Sequence, residues 1–451
     1  MSRRAVWEEM FNRFDPFEPP REPAWRAPRP HSPIDRILKP LDRSFGDPRI
    51  LLAGTVGTGK STELLRIRDA RAGKDLALVL DLHQHFNAIR DAEALQRVEA
   101  WEVVFHAGAA VLAAARGLLP YPVPQEHITA LQGAWESMAD ATETPRATEL
   151  DLSKLATEML SAGAVLLPLA GLSPLAAAAT GAGIGAVRAV TGAVRRVVPI
   201  GVSKRKVEDQ DDRTQSLLGA VNVIIGYVQS HLRRVLLIID GLDRISEEDR
   251  ALDLFVHSEL LGRLACRTIV CAPFALRSAP SAANVRRFDR VVLANEPVID
   301  KARPDQQGPG VDFFCDVFRL RTTDLGAPSP VPDALVRKLA YVSGGRARDF
   351  VRLVRSVAEL SWDADIPEAT PEIVDAVIDQ ARRDRELGLD TGHIAVLRKV
   401  IDDPDRRLPE GAAARRLLDW GHLLPYPNES EWYYPHPLLT LHLLRQRGST
   451  G

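Results

Sequence analysis

A doubly wound α/β fold built on a parallel sheet is what this chain predicts, on three observations. Five short runs of β-branched and leucine residues recur without polar alternation, the mark of strands buried on both faces. Helix-forming stretches separate the runs, so successive strands are joined by crossovers rather than hairpins. The first run also leads directly into a glycine-rich loop that opens a helix, as at the carboxyl edge of an open α/β sheet.

The strands fall at Ile50–Ala53, Leu76–Leu82, Val235–Asp240, Arg267–Pro273 and Arg290–Leu293. Residues 1–47 are rich in Pro, Arg and Phe and are expected to form an extended lead-in packed by its aromatics. Roughly 150 residues separate the second and third strands, far more than a crossover needs, so an insert is expected at about 88–211. It opens with amphipathic helix patterns at Ala92–Leu118 and Gln125–Met138, then carries no charge from Ser161 to Val187. Helices are expected at Asp212–Arg234 and Leu252–Leu264. Beyond a core spanning 48–300, four strand-free helices at 311–320, 333–342, 346–360 and 371–385 make a lid over 301–388. Residues 389–451 read as a winged-helix-like module, with helices Thr391–Ile401 and Gly411–Trp420 and then a hairpin through Leu423–Tyr426 and Trp432–Tyr434.

The loop reads Gly54-Thr55-Val56-Gly57-Thr58-Gly59-Lys60-Ser61, followed by Thr62, the full G-x-x-x-x-G-K-S pattern between a strand and a helix. Glycines at that spacing let successive N–H groups turn inward into an anion nest, and the helix N-terminus adds partial positive charge. The expected ligand is ATP or ADP with Mg²⁺. Lys60 reaches the β- and γ-phosphates, and Ser61 with Asp240, at the end of the third strand, serves the metal. Gly241 follows Asp240 and the next carboxylate is Asp243, a pattern that resembles the displaced acid of NACHT and related STAND-type ATPases; that resemblance makes Asp243 the candidate for orienting the attacking water, and implies slow hydrolysis.

Net charge is −2, so no global basic field calls for nucleic acid or anionic lipid. Cys266, Cys271 and Cys315 form no C-x-x-C pair and read as reduced thiols, and the amino terminus lacks a secretory signal pattern, so a cytoplasmic location is expected. The uncharged run, flanked by Arg188, Arg195, Arg196, Lys204, Arg205 and Lys206, leaves a second possibility, membrane association through 161–200. His83 and His85 have H-x-H spacing but no further ligand nearby, so no metal site is assigned there.

The loop with Lys60-Ser61-Thr62-Glu63-Leu64-Leu65, the acid motif Asp240-Gly241-Leu242-Asp243-Arg244, the lid motif Ser343-Gly344-Gly345-Arg346-Ala347-Arg348, and the terminal Trp432-Tyr433-Tyr434-Pro435-His436-Pro437 stand in an order that resembles bacterial P-loop ATPases of the AAA+/STAND kind, over residues 32–445. The acid motif is similar to that of NACHT proteins; the lid and winged helix resemble those of origin-recognition ATPases. The resemblance implies that Arg348 is a second sensor of the γ-phosphate, with Arg346 its near competitor. It implies that His436 touches the ADP phosphate in a closed state, and that Pro33–Ile37 lines the base pocket. It also implies a homo-oligomer completed by an arginine finger at Arg286 or Arg287. The first sensor is degraded at Cys271-Ala272.

The expected function is therefore a slow regulatory ATPase switch that controls assembly or signalling, as in bacterial defence, through an effector or sensor protein partner. One alternative is an origin-recognition-like ATPase that binds DNA through the winged helix, where Arg406, Arg407, Arg415 and Arg416 cluster. Another is a KAP-like membrane-associated ATPase acting through the uncharged insert.

Overall fold

The structure, a computed structural model, describes residues 2–20, 22–43, 45–88, 93–141, 151–161, 164–166, 208–278, 284–326, 329–427 and 431–444. It divides into two compact units, one of Ile34–Ala53 and Leu64–Val292, the other of Met1–Pro33, Gly54–Glu63 and Leu293–Gly451.

The first unit holds a six-stranded sheet in the order β3-β2-β4-β5-β1-β6. Its strands are β1 (Arg49–Ala53), β2 (Leu76–Asp81), β3 (Val165–Leu166), β4 (Val235–Asp240), β5 (Arg267–Ala272) and β6 (Asp289–Val292). All five predicted strands are present and parallel; the short edge strand β3 is the addition, antiparallel to β2. The chain leaves β1 for β2 and steps back through β4 and β5, and β6 then pairs along the other edge of β1. The order reverses at β1, and the carboxyl end of that strand is where open α/β sheets bind ligands. Val235–Asp240 and Arg267–Ala272 are buried throughout, as their unbroken apolar runs require.

The insert supplies the helical layer. Helix Ala100–Leu118 is buried on nearly every face and packs against Asp212–His231 and Leu152–Ser161. Its start is set by Glu102, whose carboxylate accepts the Glu99 N–H at 2.8 Å in a capping box. That cap breaks the expected Ala92–Leu118 pattern into Ala94–Arg97 and Ala100–Leu118. The continuous helix expected at Leu252–Leu264 does not form. A π-helical turn at Asp253–His257 and a 3₁₀ turn at Leu261–Arg263 replace it. The cause is Asp209, whose carboxylate takes the Ser258 hydroxyl at 2.8 Å and the Glu259 N–H at 2.5 Å, a non-helical partner for that backbone.

The second unit carries lid helices Gly310–Thr322, Asp333–Val342, Ala347–Asp363 and Pro371–Glu386, then Thr391–Asp402 and Ala412–Asp419, and the hairpin β7 (Leu423–Tyr426) with β8 (Trp432–Pro435). The hairpin is anchored by Tyr426, stacked on Trp432 and donating its hydroxyl to the Gly344 carbonyl at 2.9 Å. The lead-in is not simply extended. Ser2 caps a helix at Arg3–Arg13 whose Trp7 and Met10, followed by Phe14, are buried on the Ala347–Asp363 helix and its neighbours, and Ile34–Leu41 forms another helix in the sheet unit. Two of the lead-in aromatics, Phe17 and Phe45, stay exposed.

Apart from Ser161 and Ala164–Leu166, the uncharged run and its basic flank lie outside the described residues. Among those described, no helix is long and apolar enough to cross a membrane.

Candidate functional site

The phosphate loop belongs to the unit that carries the lid. Gly57 and Gly59 have φ of +90° and +99°, a conformation in which consecutive N–H groups can converge. A Cβ on Gly57 would lie 3.1 Å from the Arg348 Cβ and 3.3 Å from Arg346 Nη2, so glycine is needed there for close approach as well as for conformation. Lys60, buried, donates to the Gly54 and Thr55 carbonyls at 2.7 and 2.9 Å. Thr55 Oγ1 is buried with no partner. Ser61 and Thr62 open the helix Lys60–Arg71 and are half-buried. Turned-in glycines, an orphaned hydroxyl and a buried ammonium fit a polyphosphate.

Three of the loop's carbonyls are gripped by arginines from outside the loop. Val56 O accepts from Arg346 Nη2 at 2.5 Å, Gly57 O from the Arg348 N–H at 3.0 Å, and Thr58 O from Arg29 Nη1 at 2.7 Å. Arg346 thus places its guanidinium on the loop. Arg348 contributes its main chain, and its side chain is half-buried.

Arg346 also donates to Asp349 Oδ2 at 2.9 Å. The same oxygen receives Arg385 Nη2 at 2.8 Å and lies 3.3 Å from His436 Nε2. Arg385 reaches on to the Gly421 carbonyl at 2.9 Å. Burial alone would raise the Asp349 pKa, but the Arg346 and Arg385 guanidiniums outweigh it and hold the carboxyl well below the usual range. His436 is fully buried, and burial first, then Arg385, push it down to about 3. Its Nδ1 accepts the Leu438 N–H at 3.3 Å, so the neutral ring carries its proton on Nε2, facing Asp349. Arg346, the competitor of the expected lid arginine Arg348, thus shares one carboxylate with His436, and sequence reasoning passed over Asp349 although it directly follows the S-G-G-x-x-R pattern. Arg29 was also missed, since nothing separates it from the other arginines of the lead-in.

The acid motif lies in the sheet unit. Asp240 is buried at the end of β4, in register with Asp81 at the end of β2, and its Oδ1 accepts the Gly241 N–H at 2.8 Å. Gly241 has φ +97°, and a Cβ there would lie 2.7 Å from the backbone N of His83. A glutamate directly after Asp240 is therefore sterically excluded. Asp243, half-buried, sits in the 3₁₀ turn Leu242–Arg244. Asp81 is pushed up by burial, with Asp243 adding to the shift. Arg286 and Arg287 are both exposed, and Arg287 is tied to Glu259 at 2.7 Å. Cys266 and Cys271 are buried thiols and Cys315 is half-buried, none of the three in a disulfide. Among the described residues no three His, Cys, Asp or Glu are grouped to hold a metal ion by themselves.

No family model matches the chain, and no curated protein matches it significantly. Solved structures similar to it include the Aeropyrum pernix Orc1 protein in complex with DNA, at 14% identity over 97% of this chain and 96% of that one, with a TM-score of 0.40. Cdc6p from Pyrobaculum aerophilum follows at 12% identity over 96% of each chain and TM-score 0.38. The Thermotoga maritima RuvB Holliday junction branch migration motor has 16% identity, covers 51% of this chain and 83% of its own, and has a TM-score of 0.27. Likenesses this low assign no role to any residue here.

Proposed function

We propose that the chain is a nucleotide-controlled ATPase switch of the AAA+/STAND kind. The observation that carries the reading is the grip of Arg346 and Arg348, at the start of a lid helix, on the carbonyls of the phosphate loop, with Arg346 bonded through Asp349 to Arg385 and facing His436. A ligand that reshapes the loop must disturb those bonds, and a change in the lid must reach the loop; such differential contacts are what a nucleotide needs to shift a conformational equilibrium.

In this reading Gly54–Thr62 cradle the phosphates, Lys60 neutralises the β- and γ-oxygens, and Ser61 and Asp240 hold Mg²⁺, which supplies charge neutralisation on the phosphoryl group. Asp243 orients water, Arg348 responds to the γ-phosphate, and His436 with Asp349 favours the ADP-like closed form. Hydrolysis is slow because Gly241 displaces the water-orienting acid. Arg286, the freer of the two finger candidates, completes a neighbour's site in a homo-oligomer, and the output is assembly with an effector or sensor protein, as in bacterial defence. Lys60→Ala is expected to weaken ATP binding at least about 100-fold with the fold retained, since it removes the mobile cation of the cradle. Calorimetry showing wild-type affinity in that variant overturns the reading.

A second reading has the winged helix bind DNA in the manner of an origin-recognition protein. It is supported by the exposed positions of Arg415 and Arg416 on helix Ala412–Asp419, beside the β7–β8 hairpin. DNA retention that falls steeply with salt and is lost in Arg415→Ala/Arg416→Ala would favour it over the protein-directed switch.

A further inference from the structure

We infer that Arg29, ahead of the first strand, is a positioning residue for the triphosphate that acts through the loop rather than on the ligand. This rests on the nucleotide reading above. Arg29 is 7% exposed and spends its whole guanidinium on three acceptors: Nη1 on Thr58 O at 2.7 Å, Nη2 on Ala294 O at 2.9 Å, and Nε on Glu296 Oε1 at 2.5 Å. Glu296 is fully buried, and its second oxygen lies 3.0 Å from His31 Nδ1. Its own N–H donates to the Gly345 carbonyl at 3.2 Å, just ahead of the lid helix. The neighbouring Asn295 reaches the Pro425 carbonyl in β7 at 3.2 Å through its side chain.

The peptide group is planar, so whatever fixes a carbonyl also fixes the N–H of the next residue on the opposite side. Holding Thr58 O outward therefore turns the Gly59 N–H inward, toward the phosphate cradle. Glycine at 59, with φ +99°, makes a flip of that peptide cheap unless something prevents it. Arg346 and Arg348 hold the two preceding carbonyls and move with the lid; Arg29 holds the third from the lead-in. Arg29 thus keeps one donor of the nest in place from the lead-in, and through Glu296 it ties that donor to Gly345, just ahead of the lid helix. A lysine cannot replace it, because one ammonium cannot span three acceptors fixed in a guanidinium fork.

The experiment titrates ATP and ADP by calorimetry into the full chain, its Lys60→Ala variant, Arg29→Lys, and the double variant Arg29→Ala/Glu296→Gln, with melting curves for each. The double variant removes the buried charge that Arg29→Ala alone would strand. Expected are near-native melting and a fall in affinity for both nucleotides of about 10- to 100-fold, the range found when a partner that orients a metal-binding group is lost. Millimolar methylguanidinium should restore part of it in the double variant. If the full chain binds, Lys60→Ala does not, and the double variant binds both nucleotides as the full chain does, Arg29 is only a core ion pair and the inference falls alone. If the full chain binds neither nucleotide, the proposed function falls and takes this inference with it. Should the double variant not fold, native affinity in folded Arg29→Lys overturns the inference equally.

Discussion

Each of the two units buries a carboxylate between two arginines, and the two clusters do different work. In the sheet unit Asp75 takes Arg71 Nε at 2.6 Å and Arg267 Nη1 at 2.7 Å. It stands just before β2, and Arg267 opens β5, so the cluster braces the amino ends of the strands, away from the edge where such sheets bind ligands. In the lid unit Asp349 takes Arg346 and Arg385, but there Arg346 also holds a carbonyl of the phosphate loop. The chemistry is the same in both. What separates a brace from a coupling device is whether one of the arginines has a second partner that a ligand can move.

The largest effect expected from that contrast is on stability. Asp75→Ala leaves buried Arg267 without its carboxylate, while Arg71 keeps Asp42, and should cost about 3 kcal/mol, with the affinity of the folded fraction for ATP unchanged. Asp349→Asn keeps an acceptor for both arginines and should cost much less stability, yet change the ratio of ATP to ADP affinity. Denaturant titration paired with calorimetry checks both. Equal loss of stability without any change in ratio for Asp349→Asn would make the two clusters equivalent and end the comparison.

Acid tests the buried histidines of the sheet unit next. His85 and His106 pack in the sheet unit with ring centroids 4.8 Å apart, and neither His85 Nε2 nor either nitrogen of His106 has a partner. Burial pushes His85 down to about 4 and His106 well below its ordinary value. The folded state binds these protons less readily than the unfolded chain does. The contribution is therefore complete above about pH 6.5 and is lost as pH falls toward 4, with His85 alone losing about 2 kcal/mol by pH 5. Urea melts read by Trp101 and Trp135 fluorescence should show that loss, and His85→Phe should reduce it. A midpoint that does not move between pH 7 and pH 5 would contradict it. His436 is pushed down to about 3 although it faces Asp349, so the lid unit carries a loss of the same sign.

The sheet was legible because a parallel strand buried on both faces leaves an unbroken apolar run, and each of the five runs became a strand. The phosphate loop was legible because its chemistry is local: glycines, a lysine and a serine at fixed spacing. The Leu252–Leu264 helix was misread because its end is set by Asp209, which is far away in sequence. Arg29, Asp349 and Arg385 escaped for a related reason. A buried ion pair is defined by a partner, and in an arginine-rich chain the sequence does not say which arginine finds one. Gly241 shows the reverse case. The missing glutamate was visible in the sequence, but its cause, the backbone of His83, was not.

The finest test lies between two residues of the same turn. The lid motif aligns Arg348 with a γ-phosphate sensor, whereas Arg346 is the arginine whose guanidinium reaches the loop. A group that meets only the γ-phosphate contributes to ATP affinity and not to ADP affinity. A group that holds the loop's shape contributes to both. Arg346→Ala should therefore weaken ATP and ADP together, by about tenfold for the loss of a charge-assisted bond, and leave their ratio near the native value. Arg348→Ala should spare ADP and blunt the preference for ATP, because its main-chain bond to Gly57 survives the substitution. Titration of both nucleotides into both variants gives four affinities and two ratios. If the ratio collapses in Arg346→Ala and holds in Arg348→Ala, the sensing role passes to Arg346, and the guanidinium on Val56 is then the position the sensor leaves when ATP arrives.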